Sequence, residues 1–268
     1  MNKENTIALI RRVAAEVGGG GSFRHFKYRI CNAGEGGEGM LGKSDYPSVE
    51  GKVLAIEDDV VIVQEGRKAI FIAFDANNMD LIPAVGDKVK VTPYARRRFD
   101  GKLLSDPIEE GSTGNGISFK TYSLGEQTSK IPGISNDASQ ELRDMADQLA
   151  TIPADSRRRI TQVLIDAGAW KEPVQIFDLA DDPETHLLPK LVFHIEQENQ
   201  KGTLSVTLDR AADSYVITME EDGKDPVILE DCYSDDLADV INDMVVHNGD
   251  WLKDRVEIVK KAAKKKAG

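Results

Sequence analysis

The sequence predicts an α+β protein in which a small antiparallel β-barrel domain is followed by an α+β domain. Short runs rich in valine, isoleucine and phenylalanine crowd into residues 51–91, a spacing typical of a small, strongly bent barrel. Apolar residues at helical spacing begin after Ser139, and strict alternation of apolar and polar residues occupies 191–219. These patterns predict helices and an antiparallel sheet in the second half.

The chain opens with a short amphipathic helix, predicted over Asn5–Val17 with Asn5 as its N-cap. A helix of this length and apolar face is marginal alone, so we expect it to dock on this chain or on a partner. Gly18–Ser22 follows as a flexible tether. Four glycines and a serine are also the composition of a designed linker, which would make the helix a grafted segment. The first predicted segment is thus residues 1–22.

The barrel domain is predicted over residues 23–104. Aromatic and basic residues interleave from Phe23 to Ile30, a pattern typical of an amphipathic edge strand and also of a surface that stacks bases and holds phosphates. Three further arginines lie between Tyr94 and Phe99. The candidate nucleic-acid contacts are Arg24, Lys27, Arg29, Arg96, Arg97 and Arg98. An ordinary small sheet without a binding role is the alternative.

The same stretch carries a family resemblance. Gly51-Lys-Val, Val61-Ile-Val-Gln-Glu-Gly-Arg67 and Leu81-Ile-Pro-Ala-Val-Gly-Asp-Lys-Val89 resemble the KfrB domain, a small module of plasmid-encoded proteins that include some relaxases and conjugation-associated primases. Phe74 stands where a histidine is expected in that family. The resemblance covers residues 46–104 and implies a mobile-element origin and a non-catalytic role. It supplies no catalytic residues.

The remaining chain is predicted as a linker and an α+β domain. Glycine, serine, threonine and proline dominate residues 105–138, which predicts a linker with one strand at Ile117–Tyr122. The domain over residues 139–268 begins with a helical hairpin. Its first helix runs from Ser139 to Ile152, and its second ends at Gly168.

An antiparallel meander and two helices complete the predicted domain. Three alternating strands carry the apolar sets Leu191-Phe193-Ile195, Leu204-Val206-Leu208 and Tyr215-Ile217-Met219. A fourth strand is predicted at Val227–Leu229. Ser234 then caps one helix, and a last helix is predicted from Trp251 to about Ala263, with lysines at its end.

Charge and composition limit the partners. The net charge is −12; residues 1–134 hold 18 acidic and 18 basic side chains, and residues 135–268 hold 28 and 16. Besides the candidate contacts, basic groups lie at Arg157–Arg159 and Lys260–Lys266. We interpret Arg157–Arg159 as a solvated face, because consecutive arginines in a helical turn point in different directions.

No apolar run is long enough to cross a bilayer, and the amino terminus lacks the pattern of a signal peptide. The two cysteines, Cys31 and Cys232, are far apart in the sequence and fit a reducing compartment. We therefore expect a cytoplasmic protein without a membrane partner.

No motif identifies a reaction. The chain lacks Gly-x-Ser-x-Gly, His-Glu-x-x-His and Cys-x-x-Cys. Cys232 and His247 are a weak candidate dyad, and the residues around Asp181–His186 are a weak candidate metal site, for which an acidic solvated loop is the better interpretation. We expect no enzyme activity, no catalytic residues, no metal and no cofactor.

The leading functional hypothesis is a mobile-element accessory protein. Its barrel would bind DNA, RNA or a nucleoprotein complex, and its acidic domain would bind a protein. The alternative is an anti-restriction or anti-defence inhibitor, whose acidic domain imitates the charge of DNA. A basic stripe across the barrel would favour the first hypothesis, and carboxylates at phosphate-like intervals would favour the second.

Overall fold

The computed structural model describes residues 2–17, 26–31, 37–39, 42–122, 130–155, 157–179, 188–245 and 252–262. The chain divides into two compact units, of which unit 1 comprises residues 1–95 and 249–268, and unit 2 comprises residues 96–248. Unit 2 is thus inserted between two parts of unit 1. This division differs from the predicted segments, since residues 96–104 lie in unit 2 and residues 249–268 return to unit 1.

The elements are numbered in chain order. The first part of unit 1 contains α1 (Lys3–Val17), β1 (Lys27–Cys31), β2 (Gly37–Gly39), β3 (Gly42–Ser44), β4 (Val49–Glu57), β5 (Val60–Glu65), β6 (Ile70–Asp75) and β7 (Lys88–Thr92). Unit 2 contains β8 (Glu109–Ser112), β9 (Ser118–Thr121), α2 (Gln140–Thr151), α3 (Ile160–Leu164), β10 (Gln175–Phe177), β11 (Lys190–Gln197), β12 (Gln200–Asp209), β13 (Ser214–Glu221), β14 (Val227–Cys232) and α4 (Leu237–Val245). The chain returns to unit 1 with β15 (Arg255–Lys260).

Unit 1 is built on a six-stranded sheet in the order β1-β6-β5-β4-β7-β15. The α+β class is confirmed, but the closed antiparallel barrel is not. Among the described strands no pairing joins β1 to β15, and β1 runs parallel to β6. The residues between β1 and β4 include the short hairpin β2–β3.

Helix α1 docks on the sheet of its own unit, as its small apolar face predicts. Its buried side chains pack on residues of β5 and β6, and this layer contains Ile10, Val13, Ala14, Val60, Ile62, Phe71 and Ala73. The N-cap is Asn2 rather than Asn5, because the Asn2 Oδ1 accepts from the N–H groups of Glu4 and Asn5 at 3.0 and 3.2 Å. Gly18–Ser22, the predicted tether, lies outside the described residues.

The opposite face of the sheet holds a second apolar layer, made largely by alternate residues of β4, β5, β6 and β7. Gly51 lies on β4, where a Cβ atom would stand 2.1 Å from the carbonyl oxygen of Gln64. Only glycine permits this approach of β5. A register shift follows between Val53 and Ala55, which bends β4 over this layer.

The prediction of a last helix is wrong for the described residues 252–262. Arg255–Lys260 is strand β15, which pairs antiparallel with β7. Val256 and Ile258 pack in the second apolar layer, and Arg255 and Glu257 alternate with them. This period of two is a strand pattern, and the open edge of β7 supplies the hydrogen bonds that stabilise it.

The return of the chain has a consequence for proteolysis. A single cut between residues 105 and 138 should leave two fragments associated, because β15 remains hydrogen-bonded to β7. Limited proteolysis followed by gel filtration should give one native peak that contains both fragments, and two peaks in urea. Two separate native fragments after one cut would contradict the insertion of unit 2 into unit 1.

Three aspartates, of which Asp87 and Asp254 are buried and Asp80 is exposed, hold the returning segment. Asp254 Oδ1 accepts from the N–H of Tyr94 at 3.1 Å, and Asp80 Oδ1 accepts from the N–H of Val256 at 2.8 Å. Asp87 accepts from the N–H of Ala262 at 2.7 Å and from that of Ala84 at 3.0 Å. These two bonds hold the pKa of the buried Asp87 below its ordinary value of 3.8.

Because the folded pKa of Asp87 is lowered, its carboxylate stabilises unit 1 at pH values above 3.8, and the contribution disappears as the pH falls through the lowered pKa. Asp87→Ala should therefore flatten the loss of stability below about pH 4 and speed amide exchange at Ala262. Asp87→Asn, which keeps one acceptor oxygen, should give an intermediate exchange rate. Identical acid unfolding of wild type and Asp87→Ala would exclude this contribution.

Unit 2 contains the sheet β10-β11-β12-β13-β14, entirely antiparallel. The predicted antiparallel meander is confirmed, whereas the edge strand β10 was not predicted. Two consecutive helices, α2 and the shorter α3, lie where the helical hairpin is predicted. A second hairpin, β8–β9, occupies part of the predicted linker, and its second strand falls within the predicted Ile117–Tyr122. After α3 the chain continues as one π-helical turn over Ile165–Ala169, which contains Gly168, the predicted end of the second helix. Gly168 has a φ of 105°, and a Cβ atom there would stand 2.8 Å from the backbone of Glu196.

A buried ion pair joins two turns of unit 2. Arg158 is 3% exposed; its Nε donates to Asp155 Oδ2 at 2.7 Å, and its Nη1 donates to Asp166 Oδ2 at 3.2 Å. Asp155 also accepts from the N–H groups of Arg157 and Arg158. The interpretation of Arg157–Arg159 as a solvated face is therefore wrong for Arg158, because the tight turn at Asp155 directs this side chain inward.

Among the described helices, none combines the length and apolar character needed to cross a bilayer.

Candidate nucleic-acid interface

Three lysines lie side by side across the sheet of unit 1. Lys52 of β4 is directly opposite Lys88 of β7, and Lys88 is directly opposite Lys260 of β15. Opposite residues of antiparallel strands share a face, with Cβ atoms about 4.5–5.5 Å apart. We call Lys52, Lys88 and Lys260 the lysine row.

Strand alternation places the row on the face that also carries α1. Gly51 and Val53 face the second apolar layer, so Lys52 between them faces the other way. Lys88 precedes the buried Val89 in the same manner. On β15 a register shift follows Ile258, and this irregularity brings Lys260 opposite Lys88.

Further charges surround the row on the same three strands. Lys90 lies opposite both Glu50 and Glu257, and Arg255 lies opposite Thr92. The face thus holds five cations and two carboxylates, all on exposed residues: Lys52, Lys88, Lys90, Arg255, Lys260, Glu50 and Glu257. Lys88 forms an ion pair with Glu50 and, together with the more distant Lys90, holds the pKa of Glu50 below its usual value. The other four cations make no ion pair with a described residue.

The lysine row is unfavourable for the folded chain by itself. Like charges directly opposite on neighbouring strands repel and destabilise a sheet. A bound polyanion would remove this repulsion and release its own counterions, so the row is suited to phosphates. The lysine row is therefore a candidate surface for an anionic polymer.

The candidates on β1 lie away from the row. Lys27 and Arg29 are paired with Ile70 and Ile72, which face the second apolar layer. They therefore point from the opposite face of the sheet, on the opposite edge strand. Arg24 lies outside the described residues.

The three candidates Arg96, Arg97 and Arg98 belong to unit 2. The guanidinium of Arg97 donates to the carbonyl oxygen of Gly101 at 2.8 Å. That of Arg98 donates to both oxygens of Asp100, at 3.3 and 3.1 Å, and to the carbonyl oxygen of Asp106 at 3.1 Å. Two of the three arginines thus have donors engaged in their own loop, and Arg98 in particular supports that loop.

The aromatic residues beside these candidates also have packing roles. Phe99 stacks on Phe193 of unit 2, with ring centroids 6.4 Å apart. Phe26, beside Lys27, meets Phe71 edge to face at 5.8 Å under α1. Tyr28 is the exposed aromatic residue of β1, at 45%. The structure therefore assigns Phe26 and Phe99 to the two cores.

Sequence reasoning missed the lysine row. One signal was present, since Lys88-Val-Lys90 and Lys52-Val53 show cations alternating with core valines. The third lysine does not follow from the sequence, because the lysine-rich stretch at Lys260 predicts the end of a helix.

The weak catalytic and metal candidates gain no support from the described residues. Cys232 is buried, and burial raises the pKa of its thiol, which disfavours the reactive thiolate. His247 and Asp181–His186 lie outside the described residues. In the part of the chain that the structure describes, no group of three potential ligands is arranged to hold a metal ion.

The two units differ in charge. Unit 1 holds 19 basic and 16 acidic side chains, a net charge of +3, and unit 2 holds 15 and 30, a net charge of −15. Comparisons of the chain with protein-family models, with curated proteins and with solved structures find no match.

Proposed function

We propose that unit 1 binds nucleic acid through the lysine row and that unit 2 binds a protein, without an enzymatic step. The observation that carries the first part is the alignment of Lys52, Lys88 and Lys260 on three neighbouring strands. The resemblance to the KfrB domain supports a curved, barrel-like module and an accessory role in a mobile element.

The charge distribution supports a division of labour. A unit with a net charge of −15 repels a nucleic acid, whereas the lysine row presents a local positive surface. We therefore assign the polyanion to unit 1 and a basic protein surface to unit 2. The row replaces Arg96, Arg97 and Arg98 as the principal phosphate contact, because Arg97 and Arg98 donate to their own loop.

The second candidate function is an inhibitor in which unit 2 imitates the charge of DNA. Its support is the excess of 15 acidic side chains in unit 2. Such a protein would occupy the DNA site of an enzyme and would itself have no affinity for nucleic acid. The two functions therefore differ in one direct measurement.

That measurement is a titration of labelled duplex DNA, single-stranded DNA and RNA with the full chain at low salt. We expect binding that weakens as salt is added, because binding neutralises phosphates and releases counterions. Absence of binding to all three polymers at low salt would overturn the assignment and favour the inhibitor. The full chain is required, since a fragment of residues 23–104 lacks β15 and with it Lys260.

A further inference from the structure

An edge strand of unit 2 exposes three successive apolar side chains. β14 is the last strand of its sheet, with no described strand on its outer side. Val227, Ile228 and Leu229 are 52%, 54% and 41% exposed. Val227 and Leu229 lie opposite the buried Met219 and Ile217, whereas Ile228 lies opposite Thr218 on the other face. The strand is therefore apolar on both faces and has an open edge.

Natural proteins usually protect such edges with charges, proline or bulges. Here the protection is confined to the two ends of the strand. Pro226 precedes β14 and has no N–H to donate. Asp231 has a φ of 54°, and the register with β13 shifts at this end of the strand. Between these two points, Val227–Glu230 is a short segment of the edge without a proline.

Strong negative charge surrounds this segment. Residues 220–236 contain eight acidic side chains and one basic one, and the basic one, Lys224, pairs with Glu221. Of the eight, all but Glu221 are exposed. A second copy of this edge would bring equal negative charge against it, so self-pairing is disfavoured. A nucleic acid is disfavoured for the same reason.

We infer that the Val227–Glu230 edge binds an extended, basic segment of a partner protein by adding it to the sheet as a sixth strand. Backbone hydrogen bonds supply the common part of the affinity in this mode, and alternate side chains supply specificity. Apolar residues of the partner would cover Val227 and Leu229, and its lysines or arginines would meet the carboxylates around the segment. This inference rests on the proposed protein-binding role of unit 2 and identifies the surface and the partner's chemistry.

A short labelled peptide of alternating lysine and valine is a suitable probe for the full chain. We expect the peptide to bind at low salt. Hydrogen exchange at the backbone amides of β14 should then be slower with the peptide than without it. Methylation of alternate peptide nitrogens keeps the charge but prevents strand pairing, and should weaken binding about tenfold or more. A peptide with glutamate in place of lysine should not bind.

The protein variant is Ile228→Lys, which places a charge on the edge and should also weaken binding of the lysine–valine peptide about tenfold or more. Ile117→Lys is the matched control, because Ile117 is 65% exposed on hairpin β8–β9 of the same unit. It should bind the peptide as wild type does. Circular dichroism checks that both variants are folded.

The outcomes separate this inference from the broader function. Equal binding of the methylated peptide, or of Ile228→Lys, would overturn strand addition while leaving a charge-based protein-binding role for unit 2. Weaker binding of the methylated peptide to the wild-type chain, together with weaker binding of the lysine–valine peptide to Ile228→Lys, supports the inference. Failure of every cationic peptide to bind at low salt would overturn both, and self-association of the chain through β14, lost in Ile228→Lys, would replace the partner by a second copy.

Discussion

Replacing Lys52, Lys88 and Lys260 together with glutamine should weaken nucleic-acid binding without unfolding unit 1. Each lost phosphate contact lowers the slope of log affinity against log salt by about 0.9 on duplex DNA, so the triple variant should lose up to about 2.7. Stability should stay constant or rise slightly, because the substitution removes repulsion between opposite ammonium groups. The Lys88–Glu50 ion pair that is also lost is exposed to solvent and contributes little to stability.

A matched control separates the lysine row from net charge. Arg11, Arg67 and Lys68 are exposed cations of unit 1 outside the three strands of the row. Their combined replacement by glutamine changes the charge by the same amount, and should leave most of the affinity and slope intact. Equal losses in the two triple variants would show that total charge, rather than the aligned row, governs binding.

Replacing Arg158 with alanine should destabilise unit 2 by about 3–5 kcal/mol, the usual cost of breaking a buried ion pair from one side. The guanidinium is nearly inaccessible, and its loss would leave Asp166, whose side chain is 8% exposed, without this charged partner. The turn held by Asp155 would also lose one of its contacts. Urea unfolding followed by circular dichroism measures the change in free energy of unfolding.

Two further variants test the origin of that loss. Arg210→Ala removes an exposed pair with Glu141 and should cost only about 0–1 kcal/mol. Combining Arg158→Met with Asp155→Asn and Asp166→Asn should recover part of the stability, because no uncompensated charge then remains buried. A cost below about 1 kcal/mol for Arg158→Ala would show that water or neighbouring groups replace the guanidinium without difficulty.

Local sequence patterns were sufficient to predict many of the strands and helices of unit 2. The alternation of Leu191, Phe193 and Ile195 with polar residues allows one buried face only, so the strand and its inward residues follow directly. Ser139 accepts from the N–H of Leu142 at 3.2 Å, as expected for an N-cap. Such features depend on neighbours a few residues away, and a single sequence contains that information.

The partners of each strand were decided by the tertiary structure. The alternation of β15 predicts a strand, but the lysine-rich end of the chain that follows it is equally suited to a helix C-terminus. Only the open edge of β7, more than 160 residues earlier in the chain, selects the strand conformation. The same long-range pairing creates the candidate site, since Lys260 joins Lys52 and Lys88 only after β15 has docked.

Burial was likewise a tertiary property for the charged residues. Arg157, Arg158 and Arg159 are identical in type, and the backbone turn at Asp155 alone selects Arg158 for the interior. The sequence by itself therefore determined the periodic elements and their apolar faces, because these follow from 2.0- and 3.6-residue repeats. Strand order, the insertion of unit 2 and the lysine row were decided by the tertiary structure, because they depend on hydrogen bonds between segments that no local period connects.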